Sequence, residues 1–420
     1  MMDPSTASVS YQQMAEKWEL PLALMGGTPA MLSHEARFLP RHPAENERVY
    51  RERVKRSVLR NYFRKCVQRI TGRVFAEDFA ISDDMPEILK EYLTDVDLMG
   101  RSLGSFARDW FVDALTCGIS YAYVDYPAKD TGGRPYAVHL KAEQIIAADY
   151  DEKGGKPELD AIRVQEMITE KAGFTEKQVP HIRHITREGW SLYRRGERGH
   201  WQLIQEGEHS LKAIPLVALY TNRTGFMTAN PPLEDLAYLN LEHFQIRSDQ
   251  RNALNVASFP ILAASGYDPE IDGPIEVGPN KVLTTSDTDG RYYYVESTGA
   301  ALEAGARELQ ELEKAIHQFG MQLEFGGRVE TATGQILEAG EAASPIGQFA
   351  KNVEEAVNLM IGWMARWQGI KTRGAVTLPF RMTGREGRSI NDILSLYEAG
   401  LIDAAAARQE VRLHGGLLPS

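Results

Sequence analysis

Apolar residues recur at helical spacing in several long stretches of the chain. Between residues 45 and 75 an apolar side chain returns every four or five positions, which predicts one long helix. A second helix is predicted over 102–117, closing at Gly118, because glycine commonly ends a helix in the left-handed conformation. The same spacing predicts helices over 231–257, 300–323, 331–368 with a bend near Pro345, and 389–413.

Short alternating runs of apolar and polar residues dominate the region between these helices. Alternation of this kind predicts antiparallel strands joined by polar turns. The runs lie at 137–140, 161–167, 181–186, 190–194, 201–205 and 216–220, with a further strand at 119–126 and another at 375–380. Residues 1–44 are interrupted by proline and glycine, so we expect an arm that lies on a neighbouring subunit. The chain as a whole predicts an α+β fold of mixed helices and antiparallel strands.

The helices predicted over 231–257 and 300–323 flank a strand-containing segment rich in glycine, proline and aspartate. They can be neighbours only if they run antiparallel, which places the segment at one end of a two-helix stem. That segment contains a strand suited to an interface, because it is aromatic: Tyr292, Tyr293, Tyr294 and Val295. The alternative is an ordinary hairpin in a monomeric domain.

Charge and composition narrow the class of protein. The 420 residues are 43% hydrophobic and carry a formal net charge of -11, the opposite sign from a protein that grips DNA tightly. Because no apolar run approaches ~18 residues, we expect a soluble, unsecreted protein with no membrane partner. Cys66 and Cys117 are expected to be free thiols.

The candidates for chemistry are weak. His181 and His184 lie three positions apart in a predicted strand, so they face opposite sides and do not form a metal site. Two carboxylate pairs are expected to be solvated surface groups: Asp83 with Asp84, and Glu354 with Glu355. No phosphate-binding loop or catalytic motif is found. We expect no catalytic residue, no metal and no cofactor; a hydrolase or nuclease that uses these pairs is the alternative.

One predicted helix is strongly basic, with lysine and arginine spread around its circumference from residue 48 to residue 73. A nucleic-acid reader would gather these cations into one stripe. We therefore favour pairing with acidic patches on neighbouring subunits, and DNA contact is the alternative.

Several stretches resemble the phage portal proteins of the DUF4055 type. The resemblance spans about residues 11–413 and is concentrated at 231–245, with Asp249 and Asn252 following. Further matching segments begin at Asp97, Gly118, Ile214 and Glu330. It implies an arm and wing over 1–230, stem helices over 231–257 and 299–323, a clip over 258–298, a channel loop with wing helix and strand over 324–384, and a short crown-like helix over 385–420.

The resemblance also implies a function. The chain would be one subunit of a ring of about twelve copies at the capsid vertex of a tailed double-stranded DNA phage, assembled in the host cytoplasm. The ring would be the conduit for genome packaging and ejection. Its implied partners are further copies of itself, the packaging terminase, a head-tail adaptor, capsid or scaffold protein, and DNA that passes non-specifically. Another head-completion or minor capsid protein is the alternative.

Two groups of residues receive roles from this resemblance. The strand 292–295 would form the clip interface. The DNA-facing channel loop would be Phe325, Gly326, Gly327, Arg328, Val329 and Glu330.

Overall fold

The computed structural model describes residues 3–127, 133–258, 261–268, 270–273, 275, 282–285, 287–295, 300–325, 344–371 and 373–380. These residues form helices and separate antiparallel sheets, which confirms the predicted α+β class. Within those ranges no helix combines the length and the apolarity needed to cross a bilayer.

The helices and strands alternate in blocks along the chain. The helices are α1 (Val9–Gly26), α2 (Thr28–Ser33), α3 (Glu35–Phe38), α4 (Glu47–Arg56), α5 (Tyr62–Val74), α6 (Glu87–Thr94), α7 (Leu103–Cys117), α8 (Glu234–Ala257), α9 (Ala300–Phe325) and α10 (Pro345–Trp367). The strands are β1 (Ala80–Ile81), β2 (Ile119–Asp125), β3 (Tyr136–Leu140), β4 (Ile145–Lys153), β5 (Lys156–Ala172), β6 (Thr175–Thr186), β7 (Gly189–Arg195), β8 (Trp201–Glu208), β9 (Leu216–Tyr220), β10 (Arg223–Gly225), β11 (Thr228–Ala229), β12 (Ile261–Ser265), β13 (Arg291–Val295) and β14 (Val376–Thr377).

A large apolar core joins the helices. Phe63 of α5, Trp110 and Phe111 of α7, Phe244 of α8 and Met360 of α10 are all fully buried in it. Ser102 caps the start of helix α7, since its hydroxyl accepts a hydrogen bond from the Ser105 N–H. Gly118, with φ 90°, caps the end of the helix. The predicted capping at this glycine is confirmed, because the left-handed conformation disfavours other residues.

The strands form two main sheets in addition to three two-stranded pairs. The three-stranded sheet has the order β3-β2-β9, and the five-stranded sheet follows chain order from β4 to β8. Every predicted strand between 137 and 220 is confirmed, whereas β4 was not predicted. Between the sheets and α1 lies a second core that contains Met14, Trp18, Tyr121 and Ile162.

The prediction of an N-terminal arm on a neighbouring subunit is wrong. Residues 9–26 form a single helix that packs on its own chain, with Trp18 donating a 2.7 Å hydrogen bond to the Cys117 carbonyl. Pro21 lies inside this helix and removes one backbone donor, which costs about 3 kcal/mol. Burial of Trp18 and Leu24 offsets that cost, because each such side chain contributes about 1.5–3 kcal/mol.

The prediction of one basic helix over 45–75 is also wrong. The helix is interrupted between α4 and α5. There the Leu59 N–H donates to the Thr28 hydroxyl, and the Arg60 carbonyl accepts from the Asn240 amide. Side chains from elsewhere thus use backbone groups that a continuous helix would pair internally. Many of the cations pair within the chain rather than being left for a neighbour: Arg51 with Glu47, Arg53 with Glu45, Lys55 and Arg56 with Glu52, and Arg60 with Glu313.

Two predicted boundaries move at the C-terminal side. Instead of bending at Pro345, helix α10 begins there, because Ser344 caps it by accepting from the Gly347 N–H at 2.9 Å. The predicted strand over 375–380 shortens to β14, which pairs with β1. The predicted helix over 389–413 and the first part of the one over 331–368 lie outside the described residues.

Candidate assembly element: the helix pair and its hairpin

Helices α8 and α9 pack against each other in antiparallel directions. The side-chain amide of Gln250 donates to the Leu302 carbonyl at 2.7 Å, and His243 Nε2 lies 3.1 Å from Glu313 Oε1. Residue numbers rise along α8 where they fall along α9, so the two helices run in opposite directions. The pairing predicted from sequence is therefore present, although α8 begins at Glu234, three positions later than predicted.

Local sequence explains why each helix presents one apolar face. Leu233, Leu236, Ala237 and Phe244 recur at helical spacing and are buried against the helical core. In α9 the predicted apolar face is confirmed, since Leu312 and Ile316 are buried, while Lys314 between them is exposed. The first turn of α8 carries Glu234 and Asp235, which suit the positive end of the helix dipole.

A polar cluster ties α8 and α9 to the turn before α5. Glu313 accepts hydrogen bonds from Arg60 Nη1 at 2.7 Å and from His243, whose ring packs edge-on against Tyr62. Since an ionised carboxylate only accepts, His243 Nε2 carries the proton in this pair. Burial works to raise the pKa of Glu313, but hydrogen bonds from these neighbours hold it below its usual value.

His243 is fully buried, and burial lowers the pKa of its imidazole even though Glu313 opposes that shift. Its Nδ1 atom and the Nε atom of Arg247, one turn along α8, have no hydrogen-bond partner among the described residues. Burial is also the main cause that lowers the pKa of Arg247, with Arg60 and Arg251 adding repulsion. The cluster therefore favours neutral His243.

A second polar cluster joins α8 to α4. Arg53 is only 5% exposed, and its guanidinium donates to both carboxylate oxygens of Glu45, at 2.9 and 3.0 Å. The same group donates to the Pro40 carbonyl and contacts Ser248 of α8 at 3.3 Å. The hydrogen bond from Arg53 lowers the pKa of Glu45. A buried two-pronged ion pair of this kind fixes orientation, since losing either partner leaves a charge unpaired.

Asn240 provides a third link. Its amide oxygen accepts from the Phe63 N–H and its nitrogen donates to the Arg60 carbonyl, both at 2.9 Å. Helix α8 is therefore held to the core at three positions along its length by buried polar residues, Asn240, His243 and Ser248. Sequence analysis missed these residues, although polar side chains at the spacing of buried apolar positions were the available signal.

Past the core, β12 and β13 form a hairpin between the two helices, with Ala264 opposite Tyr292 and Leu262 opposite Tyr294. Tyr293 and Tyr294 are 48% and 58% exposed, and the Tyr292 hydroxyl donates to the Thr284 carbonyl at 3.0 Å. Val295 ends the strand. The four predicted interface residues thus share one strand, and two of them present open aromatic surface.

Of the predicted channel loop, the structure describes only Phe325. Phe325 is the last residue of α9 rather than the first residue of a loop, because the helix continues two positions past its predicted end. The other five residues of that prediction lie outside the described residues: Gly326, Gly327, Arg328, Val329 and Glu330.

The weaker chemical candidates lie apart from one another. His181 is buried, with Nδ1 2.9 Å from the Val179 carbonyl, while Glu354 accepts from the Leu378 N–H at 2.8 Å. Asp83, Asp84 and Glu355 are exposed. In the part of the chain that the structure describes, no group of three or more histidine, cysteine, aspartate or glutamate residues is arranged to hold a metal ion.

A known protein family matches the part of the chain that contains the helix pair. The family described as DUF4055, a domain of unknown function, matches residues 232–368, from just before α8 to just past α10. No curated protein matches. Chains in structures of a gene transfer agent virion, and of its neck solved with C6 and with C12 symmetry, share 12% identity, with TM-scores of 0.41, 0.42 and 0.41. Each alignment covers 86% of this chain and 90% of the other.

Proposed function

We propose that the chain is a subunit of a ring-shaped portal, the gateway through which DNA enters and leaves the capsid of a tailed phage. In this proposal α8 and α9 are the stem, β12 and β13 belong to the clip, and copies associate head to tail around a central channel. The mature ring sits in the virion at a capsid vertex. The subunit carries out no covalent chemistry, and a separate terminase supplies the energy for packaging.

One observation carries most of this proposal: an antiparallel helix pair bears an aromatic hairpin between its ends and is held to the core by buried polar contacts. A firmly held helix pair keeps its hairpin at a fixed position, as a clip that binds the terminase requires. Exposed Tyr293 and Tyr294 provide the aromatic surface that protein interfaces favour. The resemblance carried by residues 231–245 lies at the start of α8, within the same element.

The net charge of -11 supports a conduit that does not retain DNA. Because phosphate neutralisation supplies most non-specific affinity, an acidic chain lets a duplex pass with few lasting contacts. The arginines beside the stem are poorly placed to bind DNA, because Arg53 and Arg60 already form ion pairs with carboxylates of the same chain.

The hairpin offers a direct test. Ser265 and Arg291 are directly opposite in register, so an Asn-Gly turn can join them and replace residues 266–290 without moving α8 or α9. We expect the shortened subunit to give an assembly with the wild-type number of copies by light scattering, and to lose binding to the terminase and DNA packaging. The control is an Ile88→Ser variant, which changes an exposed apolar residue of α6 outside the hairpin and the stem and should package normally.

Normal packaging by the shortened subunit would contradict the clip assignment. A wild-type protein that remains a monomer, or forms a hexamer in solution and in particles, would instead favour a head-completion adaptor.

A further inference from the structure

The long hairpin of β5 and β6 projects beyond the rest of its sheet. Strand β4 pairs with β5 only up to Val164, and β7 pairs with β6 only from His181 onward. Residues 167–180, called the arm below, therefore pair only with each other in the ladders of the described residues. At about 3.3 Å per residue, Ala172 lies about 26 Å past Val164.

Part of the arm is braced by the sheet, but its tip is not. Glu170, four positions before Phe174, receives a two-pronged ion pair from Arg194 of β7, at 2.5 and 2.7 Å, and Val179 is buried. At the tip Gly173 adopts φ 62°, and Phe174 is 109% exposed, more than in an extended reference chain. A two-stranded ribbon is marginally stable alone in water, and a fully exposed phenylalanine at its end adds to that cost.

A groove with matching chemistry lies on β4 of the same sheet. It is lined by apolar and aromatic side chains, among them Tyr11, Met14, Tyr150, Phe226 and Met227. The rings of Tyr150 and Phe226 meet edge-on at 4.9 Å, and Tyr150 remains about half exposed. The cavity at its floor is only about 60 Å³, so an aromatic side chain can lie against Tyr150 and Phe226 at the mouth of the groove, with ring contacts worth more than burial alone.

Charge also matches between the two places. Lys171 and Lys177 stand on the two strands just behind Phe174. Glu143 and Glu152, both exposed, stand at either end of the β4 segment that lines the groove. Lys171 is already paired with Glu176 at 3.0 Å, which leaves Lys177 as the better partner for a carboxylate across an interface.

The tip of the arm and the groove lie at opposite ends of the β4–β5 pair. Ile145 is opposite Val164, so the arm leaves past Ile145 while Tyr150 lies about 17 Å the other way. The tip thus cannot reach the groove of its own chain. Two different, complementary patches on one chain are what a head-to-tail interface uses, and repetition of that contact closes a ring when the rotation allows it.

We propose that the arm of each subunit docks on a second copy of this chain, with Phe174 seated in the groove between Tyr11, Tyr150 and Phe226 of that copy. This inference rests on the proposed ring and adds the contact that joins its subunits. Lys177 of one copy then lies near Glu152 of the next.

The first test removes the aromatic anchor. Phe174→Ser should weaken ring assembly at least about 30-fold, as loss of a central aromatic residue does at protein interfaces. Because this side chain is fully exposed among the described residues, circular dichroism and thermal unfolding of the subunit should not change. Leu203→Ser on β8, half exposed and outside both patches, is the matched control and should assemble like the wild type.

The second test joins the two patches covalently. Phe174→Cys combined with Ser10→Cys, at an exposed position lining the groove, should give under mild oxidation a ladder of multiples of 47.0 kDa on a non-reducing gel. Either cysteine variant alone should give no ladder, because the two patches differ. Lys177→Glu and Glu152→Lys should each weaken assembly, and the double variant should restore it.

These outcomes separate this inference from the proposed function. Wild-type rings together with Phe174→Ser rings of equal stability and no cross-linked ladder would overturn the arm contact and leave the portal proposal standing. A wild-type chain that stays monomeric at every concentration would overturn both.

Discussion

The buried ion pair between Arg53 and Glu45 gives the sharpest test of how α8 is held. Glu45→Ala would leave the Arg53 guanidinium, 5% exposed, with the Pro40 carbonyl, the Ser248 hydroxyl and the Asp249 carboxylate at 3.4 Å as partners. Breaking a buried pair costs about 3–5 kcal/mol. Because Asp249 remains and is largely exposed, we expect about 2–3 kcal/mol.

Hydrogen exchange measured by mass spectrometry reads this loss locally, which suits a chain with several packed regions. Amides of α4 and of the middle of α8 should exchange about 30- to 140-fold faster in Glu45→Ala than in the wild type. Glu47→Ala removes an exposed carboxylate two positions away and should not change exchange measurably. The double variant Glu45→Ala with Arg53→Met should recover much of the protection, since no charge is then left buried.

Equal exchange in Glu45→Ala and Glu47→Ala would refute this reasoning. It would mean that the guanidinium finds water or other partners at little cost, and that the contact to Ser248 does not fix α8.

The remaining predictions concern His243 and two glycines. Because burial lowers the pKa of folded His243, its stability contribution is complete above the unfolded pKa of 6.5 and is lost as pH falls through the lower folded value. Acid should therefore reduce the protection factors of α8 amides, which are exchange rates corrected for the intrinsic effect of pH. His243→Gln should flatten that dependence between pH 7 and pH 5; an unchanged slope would assign it to other groups. Gly118→Ala should cost more than about 2 kcal/mol in thermal unfolding, because φ is 90° and the new Cβ would lie 2.2 Å from the Asn230 carbonyl oxygen. Gly104→Ala meets nothing within 4 Å in α7 and should be neutral or slightly stabilising; equal effects at both glycines would contradict the close approach at Gly118.

Local patterns predicted those parts of the fold that local forces decide. Helix α7 with Gly118, the strands between 137 and 220 other than β4, and the apolar face of α9 all follow from spacing and capping. Their energetics depend on neighbours in sequence, so a single sequence contains the necessary information.

The errors arose where distant contacts override local patterns. Pro21 suggested a broken arm, but burial of Trp18 in the second core outweighs the lost hydrogen bond. The break between α4 and α5 depends on Thr28 and Asn240, which are remote in sequence. β4 was missed because only part of its length alternates, and its acidic end, 149–152, reads as a loop.

The candidate site was predicted only in outline. Spacing identified two helices around an aromatic strand, whereas the buried polar residues that hold α8 were not predicted. Their spacing along α8 was the one local sign of burial, but their partners Arg60, Glu313 and Arg53 come from other elements and leave no trace in the sequence of the helix.

Single-particle electron microscopy of the purified protein is the decisive experiment for the proposed ring. We expect closed rings of about twelve copies in which α8 and α9 of each subunit run beside a central channel, with β12 and β13 projecting at one end. Rings whose helix pairs lie on the outer surface away from the channel, or particles without a channel, would contradict this proposal.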